Sequence, residues 1–175
     1  EYIGVAFDVK GPTFRHEKFA DYKAQRPAMP DELSVQIPYI KKIVRALNLA
    51  VLESKSYEAD DIIATVAVKA VKDGYKVSII TGDKDMCQLV GPDVEILDYV
   101  NNKEIGEKEV FEKFGVAPEL MRDLVALAGD PSDNIPGVPG IGLKTAAKLL
   151  IEYGSLDGIF TNINNISSEK LRGNL

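Results

Sequence analysis

Three successive strand-like runs of this chain end in carboxylates or lead straight into them, and that repetition narrows what it can fold into. Tyr2 to Phe7 is followed at once by Asp8. Ala50 to Glu53 leads into Tyr57-Glu58-Ala59-Asp60-Asp61-Ile62-Ile63, and Lys76 to Thr81 runs into Gly82-Asp83-Lys84-Asp85. Helical patterns separate the runs, so the order is that of an α/β fold on a largely parallel sheet. In such a sheet the carboxyl ends of the strands share one edge, where ligands bind. Taken alone, the stretch at Glu58 reads equally as a solvated acidic first turn of a helix, which the dipole favours. Acids at one strand end after another serve no core. Six carboxylates on one edge repel unless cations offset them, and two divalent ions held by oxygen account for them.

Composition limits which ion. With one histidine, His16, and one cysteine, Cys87, the usual zinc ligands are missing, leaving magnesium, manganese or calcium. A lone cysteine also excludes a disulfide framework and fits a reducing compartment. The net charge of −6 argues at face value against nucleic acid, but without the eight acids singled out in this section it becomes +2. No apolar run approaches membrane-spanning length and no signal peptide opens the chain. The chain opens in what reads as a central strand, so it is expected to be a fragment with an N-terminal strand missing.

The rest of the chain divides in two. Lys10-Gly11-Pro12 breaks the first strand, and Phe14 to Pro30 interleaves Arg15, His16, Lys18, Lys23 and Arg26 with Phe14, Phe19 and Tyr22. Cations among aromatics suit phosphates and stacked bases, or equally a solvated amphipathic helix. Asp31 is expected to cap a helix to Leu47, with Leu33, Ile37, Ile40, Val44 and Leu47 on the core face and an irregularity at Pro38. A helix is expected from Glu58 to Asp73 with Gly74 as its stop. A short helix should cover Met86 to Val90, a strand Val94 to Leu97, and a turn Asn101-Asn102. From Glu107 the pattern is all helical: Glu107 to Phe114, Pro118 to Ala128, Lys144 to Tyr153 and Leu156 to Phe160, with a thin polar tail from Asn162. This gives an α/β core over 1–106 and a helical region over 107–175.

Between two of those helices lies Gly137-Val138-Pro139-Gly140-Ile141-Gly142, followed by Leu143-Lys144-Thr145-Ala146. Glycines permit a tight turn and close backbone approach, and the following helix start offers N–H groups and the charge of Lys144 to an anion. Such a hairpin suits a non-specific grip on nucleic-acid phosphates. The Walker spacing is absent.

These residues together resemble the 5′-nuclease (flap endonuclease) family, most closely its 5′→3′ exonuclease domains of the bacterial DNA polymerase I type. The matching pieces are Phe7-Asp8, Phe14-Arg15, Tyr22-Lys23, Arg26-Pro27, Tyr57 to Asp61, Thr81 to Asp85, Gly129-Asp130, Ser132 to Gly137, Gly140 to Gly142 and Lys144 to Ala146, in the family's order over nearly the whole chain. The resemblance implies a PIN-like mostly parallel sheet flanked by helices, part of an arch at 14–30, and a helix–three-turn–helix (helix-hairpin-helix) DNA grip. It implies two Mg²⁺, with Mn²⁺ as a substitute. Asp8, Glu58 and Asp60 would hold the first, and Asp83, Asp85, Asp130 and Asp133 would surround the second, with Asp60 between them and Asp61 nearby. Lys23 and Arg26 would meet the scissile phosphate as catalytic groups, Tyr22 would stack on a base, and Arg15 belongs to the same DNA-binding foot. Gly137, Gly140, Gly142, Lys144 and Thr145 would hold the duplex backbone, with K⁺ at the hairpin. The implied substrates are nicked or branched duplex DNA with a 5′ end or flap, and RNA primers on DNA. The implied setting is a monomer in the bacterial cytoplasm, at the nucleoid, with a polymerase domain in the natural chain. The family carries one further metal-binding aspartate on an earlier strand, so this chain alone is expected to be weakly active or inactive.

Three other readings remain to be separated from this one. A Mg²⁺-dependent phosphatase of the haloacid-dehalogenase type would explain Gly82 to Asp85 but needs an Asp two residues after its nucleophile, and Asp8 is followed by Val9 and Lys10. A non-catalytic DNA-binding module would explain the hairpin but not the acids, and a PIN-type ribonuclease would not require the hairpin.

Overall fold

The computed structural model describes residues 2–175. The chain forms two compact units, Glu1–Val66 and Ala67–Leu175. Among the described residues no helix is long and apolar enough to cross a membrane.

The first unit contains β1 (Gly4–Ala6), α1 (Phe14–Lys18), α2 (Asp31–Ser34), α3 (Ile37–Ala46), β2 (Ala50–Leu52) and the start of α4 (Ala59–Lys72). β1 and β2 pair in parallel, with Val5 opposite Val51. The single helix expected from Asp31 to Leu47 is two, because Pro38 sits at the start of α3, where a missing N–H costs nothing. Pro30, not Asp31, precedes the first turn of α2. Of the expected core face only Val44 is buried; Leu33, Ile40 and Leu47 are exposed. β1 is likewise not covered on both faces, since Ile3 is exposed and Val5 half-buried.

The second unit holds β3 (Val77–Ile80), β4 (Val94–Asp98), β5 (Lys103–Ile105), α5 (Glu107–Phe114), α6 (Met121–Ala128), α7 (Leu143–Tyr153), α8 (Leu156–Thr161) and α9 (Glu169–Asn174). β3 and β4 are parallel, bringing buried Ile79 opposite buried Ile96, while Ile80 on the other face is exposed. One covered face, not two, is therefore what this sheet has. β5 was not anticipated; the turn at Asn101-Asn102 returns it antiparallel to β4, with Asn102 in the left-handed region at φ 51°. Among the described residues the strands pair as β1-β2 in the first unit and β3-β4-β5 in the second.

The helical part of this unit follows its capping residues closely. Gly115 and Gly154, both at positive φ, close α5 and α7. Val110, Leu124, Leu127, Ala146, Leu150 and Ile159 are fully buried between the helices. Each buried leucine or isoleucine contributes roughly 1.5–3 kcal/mol. The tail is not thin: Ile166 is buried, Arg172 bonds back to the Ile166 carbonyl, and Asn174 reaches the Pro139 carbonyl at 2.7 Å.

Candidate functional site

In the first unit the acids gather where α4 begins. Asp8, at the carboxyl end of β1, accepts a hydrogen bond from the Ala59 N–H at 2.7 Å, so it caps a helix far along the chain. Glu58, just before α4, is buried. Thr13 Oγ1, Tyr22 Oη and Lys23 Nζ all donate to it, at 3.3, 3.0 and 3.0 Å, and Arg15 lies 3.7 Å away. Burial works to raise the Glu58 carboxyl, but the hydrogen bond and charge of Lys23, with Tyr22 and Arg15, hold it below the usual carboxylate range. Asp61 is bound by both guanidinium nitrogens of Arg15 at 2.7 Å and by the Glu58 N–H at 2.9 Å, so its carboxyl too is held low. Asp60 is half-buried in the first turn of α4.

This arrangement differs in detail from the expected metal set. Among the described residues, no three of Asp8, Glu58, Asp60 and Asp61 offer oxygens as close together as the cluster in the second unit. Cations of the chain itself occupy Glu58 and Asp61, which makes the Arg15–Asp61 pair a brace. Tyr22 is 5% exposed, its ring edge-on to His16 at 5.2 Å and its hydroxyl on Glu58. That ring is not presented for base stacking, because the hydroxyl finds its partner inside. Lys23 has φ 56°, an unusual backbone for lysine costing on the order of 1 kcal/mol. Arg26 is exposed.

In the second unit, Asp85, Asp130 and Asp133 bring one carboxylate oxygen each within 4.8 Å of the others. Asp83 stands outside that trio and caps the 3₁₀ turn Lys84–Leu89, accepting from the Asp85 N–H at 2.8 Å. Asp130 is buried, and its backbone is pinned by two bridge bonds to Ile135, each 2.9 Å. Its side chain accepts from the Ser132 N–H and hydroxyl and, at 2.7 Å, from Lys84. Burial works to raise it; Lys84 and Ser132 hold it low. Burial pushes Asp85 up, and Asp83 and Asp130 add to this against the pull of Lys84. Asp85 Oδ1 is buried with no hydrogen-bond partner and only a 3.3 Å charge contact to Lys84. An orphaned carboxylate oxygen beside two more carboxylates is a donor set suited to a hard divalent cation. Sequence reasoning missed Thr13, Ser132 and Lys84; only Lys84, lying between two aspartates, carried a signal.

Asp130 and Asp133 belong to the loop joining α6 to α7, which continues into the hairpin. Gly140 has φ 80°, Ile141 is buried, and Gly142 precedes α7 with no side-chain cap on the helix. Lys144 is exposed and Thr145 half-buried in the first turn, beside uncapped N–H groups.

An α/β fold with clustered carboxylates is thus followed by helices that a glycine-rich hairpin connects. The chain belongs to the 5′-3′ exonuclease family: residues 1–115 match its N-terminal resolvase-like domain and residues 116–175 its C-terminal SAM fold. It is 47% identical to a DNA polymerase I of Rhizobium leguminosarum, over 98% of this chain but 17% of that protein. It is 43% identical to a 5′-3′ exonuclease of Aquifex aeolicus, over 97% of this chain and 58% of that one. The chain therefore spans under a fifth of the polymerase relative. Among solved structures, the T5 D15 protein co-crystallised with metal ions superposes with a TM-score of 0.84 at 27% identity, over 99% of this chain and 70% of that one. Membership of this family removes the phosphatase reading.

Proposed function

We propose that the chain is the 5′→3′ nuclease part of a DNA polymerase I-type protein, hydrolysing phosphodiesters at 5′ ends and flaps of nicked or branched DNA and in RNA primers. The observation that carries this reading is the convergence of Asp85, Asp130 and Asp133, two of them supplied by the loop that leads into the DNA grip. The nuclease core would cover 1–106 and the grip 107–175.

Asp85, Asp130 and Asp133, with Asp83 through water, would hold one Mg²⁺ or Mn²⁺, and Asp8, Glu58 and Asp60 the other. When bound, such ions would supply the chemistry of a lowered water pKa and of charge relief at the phosphoryl oxygens. Lys23 and Arg26 would turn to the scissile phosphate, Lys23 leaving Glu58 to do so. Gly137, Gly140, Gly142, Lys144 and Thr145 would hold the duplex backbone, with K⁺ there. Since phosphates and not base edges are gripped, sequence preference would be low and salt dependence steep. The setting would be the bacterial cytoplasm, at the nucleoid, with the chain acting as a monomer.

The test uses the protein that carries this chain and a 5′-labelled flap duplex with Mg²⁺. Cleavage that EDTA abolishes and Asp130→Asn reduces at least about a hundredfold supports the reading. Tight flap binding without cleavage would make the chain a binding module instead.

A further inference from the structure

Lys84 is the cation already present in the acid cluster. Its ammonium lies 2.7 Å from Asp130 and 3.3 Å from Asp85, bridging two of the three carboxylates that converge. It comes from the 3₁₀ turn beside Asp85, so the chain itself delivers it to the cluster. Its side chain is 41% exposed, while that of Asp130 is only 4% exposed. The charged end therefore has a route to solvent that the aspartate does not. A long flexible stem can swing such an ammonium aside at little cost.

Two like charges as close as these carboxylates need a counter-ion whether or not a metal is bound. The ammonium leaves Asp85 Oδ1 without a hydrogen bond. A dication can replace the ammonium on Asp130 and Asp85 and also reach Asp133.

We propose that Lys84 is a tethered stand-in for the divalent ion: it bridges Asp85 and Asp130 when the metal is absent, is displaced when the metal binds, and so sets the affinity of the cluster. This rests on the metal reading given above. Lys84 is a positioning residue and takes no part in bond cleavage. Its role would make the cluster fold without metal yet bind metal more weakly than three bare carboxylates would.

The test is Mn²⁺ binding by calorimetry and by the electron paramagnetic signal of free Mn²⁺, on wild type, Lys84→Met, Lys84→Arg and Asp130→Asn. Losing a charge-assisted competitor of this kind should tighten Mn²⁺ binding about tenfold in Lys84→Met and leave Lys84→Arg near wild type. Lys84→Met should also melt earlier in EDTA and gain more from Mn²⁺ than wild type does. Affinity that is unchanged or weaker in folded Lys84→Met overturns the proposal. Identical Mn²⁺ binding by wild type and Asp130→Asn overturns the metal reading itself. Should Lys84→Met not fold, wild type alone decides. Acylation of Lys84 by an amine-reactive ester, read by mass spectrometry, should speed up several-fold on adding Mg²⁺, and an unchanged or slower rate overturns the proposal.

Discussion

Gly129 and Gly137 lie back to back, so that a Cβ on either would be driven into the backbone of the other. On Gly129 it would stand 3.0 Å from the Gly137 Cα and 2.8 Å from the Ile135 carbonyl oxygen, at a φ of 79°. On Gly137 it would meet the Ala128 carbonyl oxygen at 2.5 Å. This contact closes the loop that carries Asp130 and Asp133 and hands the chain on to the hairpin. Val138 seals it with a hydrogen bond to the Leu127 carbonyl at 2.8 Å.

Gly137→Ala should accordingly cost about 3 kcal/mol or more, the upper end for overpacking, because the obstacle is backbone and cannot rotate away. Urea denaturation measures the loss. Gly142→Ala, with open space around its Cβ, should stay within about 0.5 kcal/mol of wild type. Equal costs for the two would show that the close approach does not matter.

Breaking the Arg15–Asp61 brace should loosen the start of α4. Asp61→Asn leaves Arg15 with a neutral partner and should cost about 1.5–3 kcal/mol, the range for hydrogen bonds to charged groups. Amide exchange at Glu58, whose N–H also bonds Asp61, should accelerate with it. Exchange at Glu58 as slow as in wild type would contradict the assignment.

Tyr22→Phe removes one donor from buried Glu58 and nothing from the ring packing. The expected loss is about 1 kcal/mol, with no loss of fold. If Tyr22 worked as a stacking platform instead, Tyr22→Phe would leave stability untouched and Tyr22→Ala would chiefly weaken DNA binding.

A fourth expectation concerns pH at the β4–β5 turn. The Asn101 side chain and backbone, followed by the Val100 N–H, hold the half-buried Asp98 carboxyl below its ordinary 3.8. A depressed carboxyl adds stability above its unfolded pKa and loses it as pH falls through the folded value. The turn should therefore keep its full support down to about pH 4 and lose it below. A carboxyl titration by NMR should show the Val100 and Asn101 amide shifts moving with Asp98, at a midpoint under 3.8.

Much of this was readable in the chain, for identifiable reasons. α5 and α7 were legible because a glycine at positive φ ends each one and their apolar spacing is regular. The acids at Glu58 to Asp61 and at Asp83 and Asp85 stood out because nothing apolar explains them. β5 was not legible: Lys103-Glu104-Ile105 has no strand pattern, and only its pairing with β4 makes it one. α9 was hidden by its polar residues and Gly173, its place set by Ser168 capping and buried Ile166. Tyr22 between Asp21 and Lys23 read as a surface ring, and its burial depends on Glu58, 36 residues away. Which cation meets which acid is a matter of three-dimensional reach, so Lys84 on Asp130 and Lys23 on Glu58 could not be read from spacing.

Asp130 has been stripped of its freedom in advance. Two bridge bonds hold its backbone and two more from Ser132 hold its side chain. A carboxylate so fixed has almost no rotamer entropy left to lose when something binds it, whereas a surface aspartate would forfeit some on capture. Ser132→Ala should thus weaken a ligand of Asp130 without touching that ligand, its effect appearing mainly in the entropy of binding.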